Sequence, residues 1–226
     1  MKLLALESAN EQCSVALIDE QQIQYFEKDD RPKAQTQTIL PLIDQGLAQT
    51  QWALSELTAI AFSRGPGSFS GVRINAAVTQ ALAWANDLPV IPVSTLQATA
   101  QAAYRKFGLD QVTVISDARM KEVYIASYAC DTKGMMQLLD EEKLLDYQSA
   151  AAYQRYTPVG SGITLLADHD LSNSQYQHIY ADAQDIASLA MAQAAQQHWL
   201  SAEQALPVYL RDNAWKKLSE QHKSSV

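Results

Sequence analysis

The sequence predicts an α/β protein built as two lobes, each a mixed sheet flanked by helices. Three observations carry this reading. Residues 1–107 read as three strands and then alternating helices and strands, in the order βββαβαβα. A turn rich in glycine and proline, Gly65-Pro66-Gly67-Ser68-Phe69-Ser70-Gly71, joins an apolar strand to a long helix of small residues. Residues 108–226 repeat much of this grammar imperfectly, as a smaller lobe whose last segment is free to pack back on the first.

Taken in order, Leu3–Leu6 is a short apolar strand, and Ala9–Gln12 is polar and turn-forming. Cys13–Ile18 and Ile23–Phe26 continue an antiparallel meander, and a charged and polar stretch follows over Glu27–Gln37. Ile39, Leu40, Ile43 and Leu47 make a helical stripe, with Pro41 inside it, so the proline either lies near the first turn or kinks the helix. Leu57–Phe62 is the strand before the glycine turn. The helix after it, Val72–Ala85, is apolar around much of its circumference and so is buried or pressed against a second surface. Val90–Val93 is a strand, and Leu96–Phe107 is a helix stopped by Gly108.

In the second half, Val112–Ser116 and the alternating Glu122–Tyr128 are strands. Asp131-Thr132-Lys133-Gly134 turns the chain into Met135–Leu139. A helix is expected over Ser149–Tyr156, a second glycine turn at Gly160-Ser161-Gly162, and a long helix from Ala183 to about Trp199, with Asp182 and Asp185 as its N-cap and N3 acids. From Pro207 the chain reads as extended, then polar, with fraying at the end.

A formal charge of −8 over 226 residues argues against a bare nucleic-acid or acidic-membrane binder. The two cysteines, Cys13 and Cys130, form neither a ligand cluster nor a disulfide scaffold. The apolar N-terminus is too short for a signal peptide, and Ile74–Ala85 is too short to cross a bilayer, so a cytoplasmic protein is expected.

Chemically the glycine turn is ambiguous. Its spacing is one residue longer than the dinucleotide fingerprint, it lacks the P-loop lysine, and it is not a G-x-S-x-G elbow. Ser68 and Ser70 are candidate caps for the next helix, whose N-terminus could receive an anion; a purely structural turn is the alternative. Weak cofactor candidates are Glu7, Gly65, Gly67 and Ser68. His169, His178, His198 and His222 show no metal-ligand spacing, and no metal site is expected. No catalytic residue is assigned: Cys13 sits in a strand, and Ser68 has no histidine in its own half to serve as base. Asp117-Ala118-Arg119 is either a charged pair facing the cleft or a capped turn with an ion-paired arginine.

Four segments carry a resemblance over essentially the whole chain. They are the opening Leu3–Leu17, Gly65-Pro66-Gly67-Ser68-Phe69-Ser70-Gly71-Val72-Arg73-Ile74, Asp117-Ala118-Arg119-Met120-Lys121-Glu122-Val123-Tyr124, and Pro207-Val208-Tyr209-Leu210-Arg211. The chain resembles the TsaB/YeaZ family, the dimerisation subunits of the bacterial tRNA threonylcarbamoyladenosine-forming complex. The resemblance implies an actin/sugar-kinase-like (ASKHA) fold and no catalytic centre in this chain. It implies a larger catalytic paralogue, TsaD, that binds metal and transfers the threonylcarbamoyl group to an adenosine of tRNA, and an ATPase subunit, TsaE. ATP and a metal then belong to the assembled complex and none to this chain alone. The glycoprotease-like label attached to the family does not by itself imply peptidase activity.

Two departures stand out. Glu7-Ser8 occupies the place where relatives often carry Asp-Thr, and Ala34–Thr38 supplies none of the histidines often found before the first helix. The resemblance implies that the first two long helices pack against the paralogue, or against a second copy in an isolated homodimer. This nominates Ile39, Leu40, Ile43, Leu47, Val72, Ala76, Ala77 and Gln80 as interface residues; a core role is the alternative for each. Arg64, Arg73, Arg119 and Arg211, the arginines of the resembling segments, are candidates for phosphate or tRNA contact. The competing reading is a self-sufficient nucleotide-dependent enzyme using Glu7 and the glycine turn.

Overall fold

The computed structural model describes residues 1–20, 22–31, 34–166, 175–194 and 199–211. The expected fraying after residue 211, and His169, His198 and His222, lie outside the described residues. Two five-stranded sheets organise the chain. The first has the order β3-β2-β1-β4-β5, made of β1 (Lys2–Glu7), β2 (Cys13–Asp19), β3 (Gln22–Asp29), β4 (Ala59–Gly65) and β5 (Val90–Ser94). The first three strands are the antiparallel meander, and β4 and β5 join β1 in parallel. Central β1 is fully buried from Leu3 to Glu7, as expected for a strand covered on both faces.

The two faces sort by the strand period of two. Leu4 and Leu6 point to the side covered by α1 (Gln35–Thr50) and α2 (Phe69–Ala85), where Ile39, Ile43, Ala76 and Ala83 meet them. Leu3 and Ala5 point to the opposite side, against α3 (Thr95–Phe107) and α5 (Ala183–Ala194). Helix α5 therefore lies on the first sheet, although it follows the second in sequence. Among the described residues it is helical as far as Ala194; of the expected continuation, 195–198 lie outside the described residues and Trp199 is not helical. Pro41 sits in the second turn of α1, exposed, where its missing N–H removes one helical hydrogen bond. Gly108 ends α3 in a left-handed conformation, φ 68°.

The second sheet contains β6 (Gln111–Asp117), β7 (Glu122–Cys130), β8 (Met136–Leu138), β9 (Lys143–Asp146) and, after α4 (Tyr147–Tyr153), β10 (Thr157–Val159). Its order is β10-β6-β7-β8, with β9 pairing the other half of β7. Strand β9 has no period-two pattern and was not anticipated from sequence. Helix α3 is shared between the sheets: Ala98 faces the first, whereas Leu96, Ala100 and Ala103 face Val112, Val114 and Ala126 of the second. This shared helix sets the lobes on either side of a cleft. Among the described residues no helix is long and apolar enough to cross a membrane.

Candidate functional site

The cleft has a volume of about 610 Å³ and lies between two hairpin turns. One turn, Ala9–Glu11, follows β1; the other, Asp117–Met120, follows β6. The glycine turn and the extended segment around Tyr209 and Arg211 close its sides. All four segments singled out in the sequence thus converge on one place.

The glycine turn is held by the chain itself. The N–H of Ser68 donates to the Ala9 carbonyl at 2.7 Å, and the Ser8 hydroxyl donates to the Gly71 carbonyl at 3.0 Å. Ser68 caps α2 by accepting from the Gly71 N–H at 3.1 Å, while Ser70 is exposed and caps nothing. Side chains at Gly67 and Gly71 would run into the carbonyl oxygens of Ala9 and Ser8, so both glycines serve close backbone approach. Gly65, with φ 100°, faces the Val208 carbonyl, and its bond to Pro66 is cis. Gly71→Ala is expected to cost about 2–3 kcal/mol, the scale of an overpacked core, because backbone and not a flexible side chain must move. Urea denaturation of the variant checks this.

Glu7 lies beneath the turn and does not line the cleft. It has no exposure, accepts from the Ala9 N–H at 2.6 Å, and its second carboxyl oxygen has no hydrogen-bond partner among the described residues. Burial pushes its pKa up to about 8, helped by the Asp182 charge and opposed by the Ser63 hydroxyl and the Ala9 and Asn10 amides. At neutral pH this carboxyl is mostly protonated. Among the described residues no group of three or more His, Cys, Asp or Glu side chains could hold a metal ion.

The four arginines divide. Arg64 turns away from the cleft to Glu142, at 3.2 Å, in a cluster with the Ser94 and Tyr128 hydroxyls that joins the two sheets. Arg119 pairs with Asp117 at 2.8 Å and reaches Glu11 of the opposing turn at 3.7 Å. Asp117 also accepts from the Arg119 N–H at 2.7 Å, so it faces the cleft and caps its turn at once. Arg211 pairs with Glu122 and donates to the Ala118 carbonyl. Arg73 lies over the Phe69 ring, 3.3 Å from its centre, without a carboxylate partner among the described residues.

The eight nominated interface residues also divide. Ile39, Ile43, Val72 and Ala76 are buried in the chain's own core, which removes them from any external face. The apolar stripe marks the side of a helix that meets its own sheet. Leu40 and Ala77 are exposed, and Leu47 and Gln80 are half-buried. Trp84, 65 % exposed on α2, was not nominated and extends that outer face. The sequence reading also missed Tyr124 and Tyr180 in the cleft wall, and the Arg105–Asp182–Asp185 cluster joining α3 to α5, of which the two carboxylates are buried. In sequence, the latter showed only as two acids at the start of a helix and a basic residue at the end of another.

The meander followed by two parallel strands, with helices on both faces and a second sheet across a cleft, places the chain in the two-lobed actin/sugar-kinase-like class. Residues 31–217 match the family model for TsaD, tRNA N6-adenosine threonylcarbamoyltransferase. The tRNA threonylcarbamoyladenosine biosynthesis protein TsaB of Escherichia coli is 37 % identical over 96 % of this chain and 98 % of its own length. Its namesake in Haemophilus influenzae is 34 % identical over 96 % and 97 %. The solved structure of YeaZ from Pseudomonas aeruginosa superposes with a TM-score of 0.83 at 36 % identity, covering 92 % of this chain and 99 % of that one. The chain belongs to the TsaB/YeaZ family.

Proposed function

We propose that this chain acts in threonylcarbamoyladenosine formation on tRNA as a non-catalytic subunit, pairing with a TsaD-like catalytic paralogue and holding it in its active arrangement. The observation that carries the pairing is the outer face of α1 and α2. Leu40 is 53 % exposed, and Ala77, Ala81 and Trp84 follow one another along α2 at three- and four-residue spacing, all exposed. Small residues between larger apolar ones let a facing helix approach closely. The enclosure of Glu7 supports the non-catalytic part, since a protonated carboxyl walled off from the cleft offers a nucleotide-bound metal no charge.

In this reading ATP and metal act in the assembled complex, a TsaE-like ATPase joins it, tRNA is the substrate of the whole, and the complex works in the cytoplasm. An isolated homodimer uses the same face. A specific pairing buries more than about 1,000 Å² in total. Ala77→Glu and Leu40→Asp place charges on that face without touching the core. Each is expected to weaken pairing with the purified paralogue about 100-fold, a loss typical of a hot-spot position, while the thermal midpoint stays within about 2 °C of wild type. Calorimetric titration and tRNA modification by the mixed subunits check this. Unchanged pairing, or modification by the chain alone, overturns the reading.

A further inference from the structure

The charges that line the cleft do not balance one another. Glu11 and Asp117 both pair with Arg119, at 3.7 and 2.8 Å, and Arg211 pairs with Glu122. Arg73 is the lining cation left without a carboxylate among the described residues. Its guanidinium lies over the Phe69 ring and 5.2 Å from the centre of the Tyr209 ring. One of its N–H groups donates to the Phe69 carbonyl at 3.3 Å, and no other acceptor for it stands among the described residues. The ring contacts hold the guanidinium in place and leave its edge open to an acceptor.

Other parts of the wall favour the same kind of guest. The Phe69 N–H, first of α2, has no acceptor among the described residues, so the positive end of that helix adds to the Arg73 charge. Thr95, the first residue of α3, lines the cleft at 5 % exposure, and its hydroxyl has no partner among the described residues. A buried hydroxyl is seldom left so unless something from outside the chain completes it. The hydroxyls of Tyr124 and Tyr180 are also unpaired among the described residues, and burial pushes both pKa values up, so both stay protonated. Their rings, with Met120 and Ile179, give the cleft an apolar body, and about 610 Å³ is the size of a small-molecule site. A polyphosphate fits this inventory poorly. One unpaired arginine balances one negative charge, Glu11 and Asp117 repel further ones, and the N–H groups of Ser68 and Gly71 are already engaged within the chain.

We propose that the cleft binds a small organic monoanion with a flat apolar body, its charged group against Arg73 and the start of α2, its body against Tyr124 and Tyr180. The site is separate from the pairing reading and is tested on the isolated full chain. The probe is 2-naphthoate, with 2-naphthamide as its neutral counterpart and inorganic phosphate as an anion without the apolar body. Each is titrated into the ¹⁵N-labelled chain, and the Phe69 and Ser70 amides and the Arg73 side-chain N–H are followed. Naphthoate is expected to shift these signals saturably, with a dissociation constant of about 1 mM or tighter, the ordinary efficiency for about 13 non-hydrogen atoms. The amide is expected to bind about tenfold more weakly, and phosphate alone to show no saturation.

Two variants separate the charge from the walls. Arg73→Gln is expected to weaken naphthoate about tenfold and to leave naphthamide unchanged, a split that loss of structure alone would not produce. Tyr180→Ala is expected to weaken both compounds alike, because it removes wall and not charge. A lack of saturable response to naphthoate, equal binding of the amide, or an Arg73→Gln chain that binds naphthoate as wild type does overturns the proposal. Binding of ATP with magnesium at the same signals, more tightly than naphthoate, overturns it as well and makes the cleft a nucleotide site.

Discussion

Arg105→Ala is expected to lower the unfolding free energy by about 3 kcal/mol, the lower part of the range for breaking a buried ion pair. Asp185 is wholly enclosed between α3 and α5, and the Arg105 guanidinium meets it with two hydrogen bonds, at 2.8 and 2.9 Å. A third, at 2.7 Å, goes to Asp182. Removing the arginine strands a carboxylate that burial already pushes up to about 6. The lower figure applies because Arg105 keeps about a third of its side chain in solvent.

Asp185→Asn placed on top of Arg105→Ala removes the stranded charge and is expected to recover part of the loss, so a double-mutant cycle separates the pair from the packing. The expected damage is local in origin. Helix α5 returns from the second sheet to cover β1 and β2, and this cluster secures its start. Amide exchange in Ile186–Ala194 is therefore expected to rise first. Uniform exchange across the first sheet, or a loss below about 1 kcal/mol, would show the cluster to be incidental.

The same cluster shows where sequence reading stops. Asp182 and Asp185 were legible as helix-start acids because cap chemistry is local, and Gly108 as a stop for the same reason. That both acids turn toward α3, about 80 residues earlier in the chain, is a tertiary fact with no local trace. The stripes on α1 and α2 were legible as helices, yet a stripe reports only the face that the chain itself buries. Ile39, Ile43, Val72 and Ala76 follow the apolar period most faithfully and are for that reason inside. The candidates left for a partner are the residues the period skips, Leu40, Ala77 and Trp84. The glycines of the turn were legible as points of close approach. What approaches them, the carbonyls of Ser8 and Ala9, depends on how β1 and β4 pair.

Glu7→Gln is expected to change the pH dependence of stability more than any other single substitution in the first lobe. In the folded chain the Glu7 pKa is about 8, against 4.5 for an unburied glutamate. The folded state thus holds a proton that the unfolded state releases, and stability falls as pH rises between those values. The contribution is fully present below about 4.5 and lost as pH passes 8, at a slope near 1.4 kcal/mol per unit and about 5 kcal/mol in all.

Glutamine has the shape of the protonated acid and keeps a carbonyl oxygen for the Ala9 N–H, so the variant is expected to fold normally and to lack this slope. Other groups titrate in the same range, Asp185 among them, and they cancel in the difference between wild type and variant. Urea unfolding at about pH 5.5 and 7.5 is expected to show the wild type losing about 2–3 kcal/mol more than Glu7→Gln across that interval. Parallel curves would mean that Glu7 is ionised in the folded chain. A charged Glu7 would bring back the reading in which this carboxylate, at the end of β1, serves a cation in a nucleotide-dependent enzyme.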